Sequence, residues 1–304
     1  MSKVFEALKK QGNASEADLA SIIEDEQAQE AAIAESPEII MEEPGAPGPL
    51  EASEPPVQPV QVEPVSEVPL LQPPGLLKFR VLPLRLSTSI PILPFEETNG
   101  DAGEQYRIVR TKIFQHAGQP HIILISSPGT RDGKSLSAVN VAGALSLKSE
   151  SNVLLVDADF RHPVIHEHLG IPEGPGLADL IRGRCSLEEA VIQVEQLPNL
   201  YVLTAGKERS SPAEMLDSSR WLSVVARLRE CFEYVVIDAP PVAAVADYDL
   251  LQAASDGVVV VVRPDHTKRA AWTGTLRSIP QQKFLGVLLN CVDDWFLTKI
   301  YSYN

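Results

Sequence analysis

Three short apolar runs, each leading into chemically distinctive residues, constrain the fold more than any other feature of this sequence. Residues 122–126 run into a loop that ends with Lys134, and two later runs end in Asp157 and Asp238. Short runs rich in Val, Ile and Leu that alternate with helical segments are typical of a mostly parallel sheet with helices on both faces. Since such a sheet binds ligands at the carboxyl ends of its strands, the sequence predicts an α/β fold with these residues at one edge.

The predicted elements follow from apolar periodicity and turn residues. Strands are predicted at 121–126, 152–156, 200–204, 233–237, 257–262 and 284–290. Helices are predicted at 103–115, 134–148, 177–182 and 187–194. Ser186 with Glu189, and Ser211 with Glu214, are spaced as capping boxes, which satisfy free amides at a helix start.

The N-terminal region has a different composition. Residues 11–77 contain no Lys or Arg but 14 Asp and Glu, so nearly all of the formal charge of −15 comes from there, and 14 of the 25 prolines lie between Pro37 and Pro94. Prolines disfavour helix, and with so few aromatic residues burial cannot offset the entropy of ordering. The predicted organisation is a short helix at 1–10, a disordered acidic, Pro-rich tether at 11–94, a folded domain at 95–298 and a tail at 299–304.

Charge and hydropathy exclude several classes of protein. Without the acidic stretch the chain is close to neutral, which gives no support to a nucleic-acid partner, since that would need a basic face. The longest apolar runs, such as 258–262, fall far short of the roughly 20 residues that span a bilayer. The first residues contain no apolar signal core. We therefore expect a cytoplasmic protein that reaches a membrane only through a partner.

The loop after residue 126 has the strand–loop–helix context of a phosphate-binding loop. Gly133 would let the backbone approach a phosphate, Lys134 would neutralise the β- and γ-phosphates, and the Ser135 hydroxyl would ligate Mg²⁺. Pro128 stands where the general pattern has glycine. The sequence predicts ATP and Mg²⁺ as cofactors. The nucleotide-binding residues are expected to be Pro128, Gly129, Thr130, Arg131, Asp132, Gly133, Lys134, Ser135 and Leu136.

The acidic residues at the strand ends suit metal ligation. Asp157 and Asp238 each follow a buried strand, although either carboxylate could instead cap the next helix. Asp159 adds a further carboxylate, so that metal ligation and proton acceptance can come from adjacent positions. We expect Ser135, Asp157, Asp159 and Asp238 to hold the metal, with Asp157 favoured as the base. Arg161 either supports these carboxylates, stabilises transferred charge or forms a structural ion pair.

Taken together, these residues resemble the bacterial protein-tyrosine kinases of capsular and exopolysaccharide synthesis. The Walker A′ signature of that family, an apolar run followed by D-x-D-x-R, is matched by Asp157, Asp159 and Arg161. Its Walker B signature, D-x-P-P, is matched by residues 238–241, and the similarity covers roughly residues 95–304. The resemblance implies a P-loop NTPase-like kinase domain and an ATP-dependent tyrosine autokinase. Its catalytic residues would be Lys134, Asp157, Asp159, Arg161 and Asp238.

The partition and septum-site ATPases share these strands but carry a signature lysine five residues before the Walker lysine. That position is Gly129 here, which favours the kinase branch. A non-kinase regulatory ATPase or scaffold of the same assembly remains the alternative. It is motivated by Pro128 and by the small number of tyrosines in the tail.

The resemblance also implies partners. In the family, an E-x-x-R-x-x-R helix mediates ring assembly, and Glu104, Arg107 and Arg110 match it, although this spacing also allows ion pairs within one helix. Tyr301 and Tyr303 stand where the family autophosphorylates in trans. The implied partners are a ring of identical chains, a membrane-spanning polysaccharide co-polymerase or activator, and a cognate phosphotyrosine phosphatase. They would place the protein at the inner face of the cell membrane.

Overall fold

The computed structural model describes residues 78–86, 92–93, 100–149, 151–207, 209–242 and 246–292. These residues all belong to one compact unit, Val68–Asn304. The predicted helix at 1–10 and the tail at 299–304, with Tyr301 and Tyr303, lie outside the described residues, as does most of the tether.

The described residues form an eight-stranded sheet with the order β1-β4-β5-β3-β6-β2-β7-β8. The strands are β1 (Arg80–Leu82), β2 (Ile122–Ser126), β3 (Val153–Asp157), β4 (Val191–Val194), β5 (Leu200–Leu203), β6 (Tyr234–Asp238), β7 (Gly257–Val262) and β8 (Phe284–Leu289). Every neighbouring pair is parallel except β4 with β5. The predicted mostly parallel sheet is confirmed.

Helices cover both faces of the sheet. They are α1 (Gly100–Phe114), α2 (Lys134–Ser146), α3 (Ile165–Leu169), α4 (Leu177–Ile181), α5 (Leu187–Ala190), α6 (Pro212–Leu216), α7 (Ser219–Cys231), α8 (Asp247–Ala254) and α9 (Arg269–Ser278), with a 3₁₀ turn at Gln281–Lys283. No helix in the described part of the chain is long and apolar enough to cross a bilayer.

Alternation along the strands divides the core into two layers. In β2, Ile122 and Leu124 pack with the layer that contains α4, α7 and α8, whereas Ile123 and Ile125 pack with the layer that contains α2 and α3. All four side chains are at most 1% exposed. This is the period of two expected for a strand that is buried on both faces. The buried strand fixes the position from which the phosphate loop starts.

One predicted helix is wrong in its second half. The helix expected at 187–194 ends at Ala190, and Val191–Val194 forms β4, which pairs with both β5 and β1. The residues Val-Ile-Gln-Val favour a strand because β-branched side chains fit a pleated surface. Pairing on both sides then outweighs the local helical pattern.

The two predicted capping boxes have different outcomes. The first is confirmed, since the Glu189 amide donates to Ser186 Oγ over 3.3 Å and the Ser186 amide donates to Glu189 Oε2 over 2.8 Å. The second is wrong: Ser211 has a left-handed backbone with φ of 47°, and its side chain makes no capping hydrogen bond. Pro212 opens this helix instead, because its fixed φ suits the first helical position.

The sheet begins earlier than residue 95, where the folded domain was predicted to start. Strand β1 lies within the stretch assigned to the tether and runs parallel to β4. The Leu84 amide donates to Gln196 Oε1 over 3.0 Å, and the Leu93 amide donates to Asn140 Oδ1 over 2.7 Å. A strand at the sheet edge tolerates the adjacent Pro83, because one side needs no amide donors. For residues 80–82, therefore, the tether prediction is wrong.

Candidate active site

The phosphate loop connects β2 to α2. Gly133 has φ of +92°, and a Cβ added there would lie 1.8 Å from Asn290 Nδ2, so a larger residue would be strained and would clash. Helix α2 begins directly afterwards at Lys134, with no side-chain cap on its first amides. Free amides at a helix start bind anions. The local backbone therefore favours phosphate at this point.

Lys134 lies at the centre of the site, between two acidic side chains. Its Nζ is 2.8 Å from Asp159 Oδ2 and 3.3 Å from Asp238 Oδ1. The Lys134 side chain is only 12% exposed. Burial lowers the pKa of Lys134, but the charges of Asp238 and Asp159 raise that pKa by more, so the net shift is upward. The lysine therefore stays charged and neutralises its carboxylate neighbours.

Asp157 lies on the strand next to Asp238, opposite it in the parallel register of β3 and β6. It is fully buried; its Oδ2 accepts a hydrogen bond from the Ile165 amide over 3.2 Å, and its Oδ1 has no partner. Burial first, and then the Asp238 charge, raise the pKa of Asp157 well above its ordinary value. The contact with Ile165 shows that Asp157 also supports the start of α3, the alternative role considered from the sequence.

The carboxylate oxygens left without a partner fit a bound cation. Asp238 Oδ2 and Asp157 Oδ1 are both buried, and neither oxygen has a hydrogen-bond partner. Burial raises the pKa of Asp238, although Lys134 and the Ser135 hydroxyl act against that rise. Within the described ranges, no group of three or more His, Cys, Asp or Glu is arranged to hold a metal by itself. Magnesium bound with a nucleotide needs only one or two carboxylates, because phosphates and waters supply its other ligands.

Asp159 and Arg161 have separate partners. Asp159 Oδ1 accepts from the His162 amide over 3.1 Å, while its other oxygen faces Lys134. Arg161 Nε lies 3.0 Å from Asp247 Oδ2, a carboxylate that is 2% exposed on α8. Among the roles considered for Arg161, the observed geometry is that of a structural ion pair.

The predicted nucleotide-binding residues differ in their surroundings. Pro128 and Asp132 are buried, whereas Thr130 and Arg131 are exposed. Sequence reasoning did not identify His266, Thr267 and Asn290, which bond to Asp132. His266 Nδ1 and Thr267 Oγ1 lie 3.0 and 2.8 Å from its carboxylate, and Asn290 Nδ2 donates to its carbonyl over 3.1 Å. The signal that could have found them is their position, just after β7 and β8 at the same sheet edge.

The residues expected to mediate assembly lie on α1 and have contacts within the chain. Arg107 Nη1 is 2.5 Å from Glu104 Oε1, and Arg110 Nη1 donates to the Ala144 carbonyl over 3.4 Å. The contact between Glu104 and Arg107 corresponds to the alternative of an ion pair within one helix, whereas Arg110 contacts α2. The ring interface itself stays a prediction.

Comparison with curated proteins finds a consistent group of relatives. No model of a protein family matches the chain. The tyrosine-protein kinase YwqD of Bacillus subtilis is 33% identical over 204 residues, which cover 66% of this chain and 85% of YwqD. The tyrosine-protein kinase ptk of Acinetobacter johnsonii is also 33% identical, over 69% of this chain, but the chain spans only 29% of that relative's length.

Comparison with solved structures agrees with the comparison with curated proteins. The chimeric protein CapA2B2 aligns with a TM-score of 0.63 and 27% identity, covering 73% of this chain and 96% of that structure. The VpsO kinase domain aligns with a TM-score of 0.57 and 30% identity, covering 65% of this chain and all of that domain.

Proposed function

Since the chain belongs to the tyrosine-protein kinase family of bacteria, we propose that it transfers the γ-phosphoryl group of ATP to tyrosine hydroxyls. The observation that carries this proposal is the set of charges around Lys134. The Lys134 ammonium lies within 3.3 Å of two buried carboxylates, and Asp157 is paired in register with one of them. Simple hydrolysis needs only a positioned water, whereas transfer to a hydroxyl also needs a proton acceptor near the phosphates.

The phosphate loop binds ATP in this proposal. The amides at the start of α2 and the Lys134 ammonium contact the phosphates, since both present positive charge at one point. Ser135, Asp157, Asp159 and Asp238 are the residues that would hold Mg²⁺. When bound, this ion neutralises charge on the phosphate oxygens. The unpartnered buried oxygens of Asp157 and Asp238 support this assignment.

Asp157 is proposed as the proton acceptor. As the tyrosine oxygen bonds to the γ-phosphorus and the bond to ADP breaks, the hydroxyl proton passes to the Asp157 carboxylate. Burial and the Asp238 charge raise the pKa of Asp157, which makes its ionised form a stronger base. Asp159 is the weaker candidate, because one of its oxygens faces Lys134 and the other accepts from the His162 amide, whereas Asp157 Oδ1 has no partner.

Resemblance to the family supports a proposal for the acceptors and partners. We propose Tyr301 and Tyr303 as the phosphorylated residues, modified in trans within a ring assembled through α1. A membrane-spanning activator and a cognate phosphatase complete the proposed system. It would act in exopolysaccharide or capsule synthesis or export, at the inner face of the cell membrane.

One assay tests the central proposal. Purified protein is incubated with ATP and Mg²⁺, and phosphotyrosine is detected by blot and located by mass spectrometry. We expect label on Tyr301 or Tyr303, its loss in the double substitution of both tyrosines by phenylalanine, and its loss in Lys134→Met. Label that persists in folded Lys134→Met would contradict the proposal. Hydrolysis of ATP without any phosphotyrosine would instead support the non-kinase ATPase that Pro128 suggests.

A further inference from the structure

Asp132 lies in the loop that is proposed to bind phosphate, where the negative charge of a carboxylate would repel the ligand. It is the residue before Gly133, and its side chain is 1% exposed. Each oxygen of a carboxylate can only accept hydrogen bonds, so a buried aspartate requires donors from its surroundings. The structure supplies these donors from the protein itself.

The contacts of Asp132 tie three parts of the site together. Its Oδ2 accepts from the Gly129 amide over 3.0 Å, which spans the loop. Its Oδ1 is 3.0 Å from His266 Nδ1 and 2.8 Å from Thr267 Oγ1, both on the connection between β7 and α9. Its carbonyl accepts from Asn290 after β8 over 3.1 Å. Both carboxylate oxygens and the carbonyl are therefore bonded within the chain.

The Thr267 hydroxyl is directed at Asp132 by a second contact. The Arg263 amide donates to Thr267 Oγ1 over 3.0 Å, and a hydroxyl has only one proton to donate. That proton therefore goes to Asp132 Oδ1. His266 reaches the same oxygen through Nδ1, which must carry a proton, because a carboxylate offers none.

The loop conformation needs such external support. Arg131 has φ of +64° although it is not glycine, and Gly133 has φ of +92°. Non-glycine residues in the left-handed region persist where surrounding contacts hold them. The residue between these two positions is Asp132, whose bonds fix the loop against β7 and β8.

We propose that Asp132 is a positioning residue that holds the phosphate loop in its binding shape through Thr267 and His266, and does not itself contact the nucleotide. This inference rests on the proposed function, because it assumes that the loop binds ATP. It assigns a role to the connection between β7 and α9. It also removes the Gly129 amide from the donors left for phosphate, since that amide bonds to Asp132.

The test measures affinity for a fluorescent N-methylanthraniloyl-ATP on the full chain with Mg²⁺, together with the KM for ATP and the kcat of phosphorylation. The variants are Asp132→Asn, Thr267→Val and Thr267→Ser, with Asp265→Asn as the control. Asp265 is an exposed acid on the same connection, with φ of 60°, so the control makes the same change of charge at a residue that tolerates asparagine.

We expect Asp132→Asn and Thr267→Val each to weaken binding about tenfold, the effect of losing one hydrogen bond to a charged group, with kcat at saturating ATP nearly unchanged. Asparagine offers a single acceptor oxygen, so it cannot serve Gly129 and Thr267 together. The combined variant should lose little more than either alone, because both remove the same contact. Thr267→Ser keeps the hydroxyl and should retain the affinity of the unchanged protein.

Unchanged or tighter binding of ATP by Asp132→Asn overturns the proposal. If Asp132 faced the phosphates, removing its charge would relieve repulsion, and Asp132→Asn would bind ATP as tightly as the unchanged protein or more tightly. A loss of ATP affinity in Thr267→Ser as large as that in Thr267→Val overturns it as well. Should Asp132→Asn not fold, Thr267→Val carries the test, because it leaves the loop sequence intact. Binding of ATP without phosphotyrosine would refute the kinase but not the role of Asp132, whereas no binding by the unchanged protein would refute both.

Discussion

Replacing Lys134 by methionine is expected to destabilise the protein as well as inactivate it. Lys134 is the positive group within contact distance of both Asp159 and Asp238, which are 2% and 0% exposed. At an effective dielectric constant of about 20, contacts of 2.8 and 3.3 Å correspond to attractions of about 6 and about 5 kcal/mol. Much of this offsets the cost of burying the charges, and removing one member of a buried pair costs about 3–5 kcal/mol in measured cases.

The pH dependence of this loss has a defined sign. The raised pKa of Lys134 means that its stabilising charge is fully present below the ordinary lysine pKa and is lost only in strong alkali. Lys134 also lowers the pKa of Asp157 and Asp238, both raised by burial, so its removal raises them further. Carboxylates with raised pKa favour the folded state at low pH and disfavour it as they ionise. The loss in Lys134→Met should therefore be largest near neutral pH and shrink in acid.

Thermal and urea unfolding from pH 5 to pH 8 measure this effect. A loss of this size corresponds to a fall in Tm of about 10 °C near pH 7. Lys148→Met is the matched control, because Lys148 lies 3.3 Å from Glu233 with both side chains well exposed, and such surface pairs contribute at most about 1 kcal/mol. A Lys134→Met protein as stable as the unchanged one at pH 7, or a loss that grows in acid, would refute the reasoning. A phosphotyrosine blot on this variant is informative only below its own Tm.

Three further substitutions give distinct results. Asp157→Asn should raise Tm at neutral pH, because the raised pKa of Asp157 means that its buried ionised form destabilises the folded state, and asparagine carries no charge. The same substitution should abolish phosphotyrosine on a blot. Gly133→Ala should weaken ATP binding at least about tenfold in a fluorescence titration, since φ of +92° and the contact with Asn290 both exclude a Cβ. Arg161→Ala should lower the free energy of unfolding in urea by about 1–3 kcal/mol, because the buried Asp247 loses its partner.

The sheet was largely predictable because most of its strands are continuous apolar runs. All six predicted strands, β2, β3, β5, β6, β7 and β8, were placed to within one residue at each end. Two strands were missed for different reasons. In β4, Val191–Val194 follows a well-formed helix start, so the helical pattern continues into residues whose β-branched side chains favour a strand, and pairing with two neighbours decides between the two. In β1, the surrounding prolines suggested a chain without structure.

The site was predictable where it depends on strand ends alone. Asp157 and Asp238 were expected at the same sheet edge because each follows a strand of a parallel sheet, and they lie opposite each other because β3 and β6 are neighbours. The contacts of Asp132 depend instead on β7 and β8 lying to one side of β2, and the sequence patterns do not encode that order. The partner of Arg161 likewise depends on the placement of α8.

The strand order separates the two ends of the domain. The chain enters the described domain beside β1 and leaves it after β8, and these are opposite edges of the sheet. Seven strand spacings of about 4.8 Å put those edges roughly 34 Å apart. A partner that holds the domain by its N-terminal side therefore leaves the opposite side open.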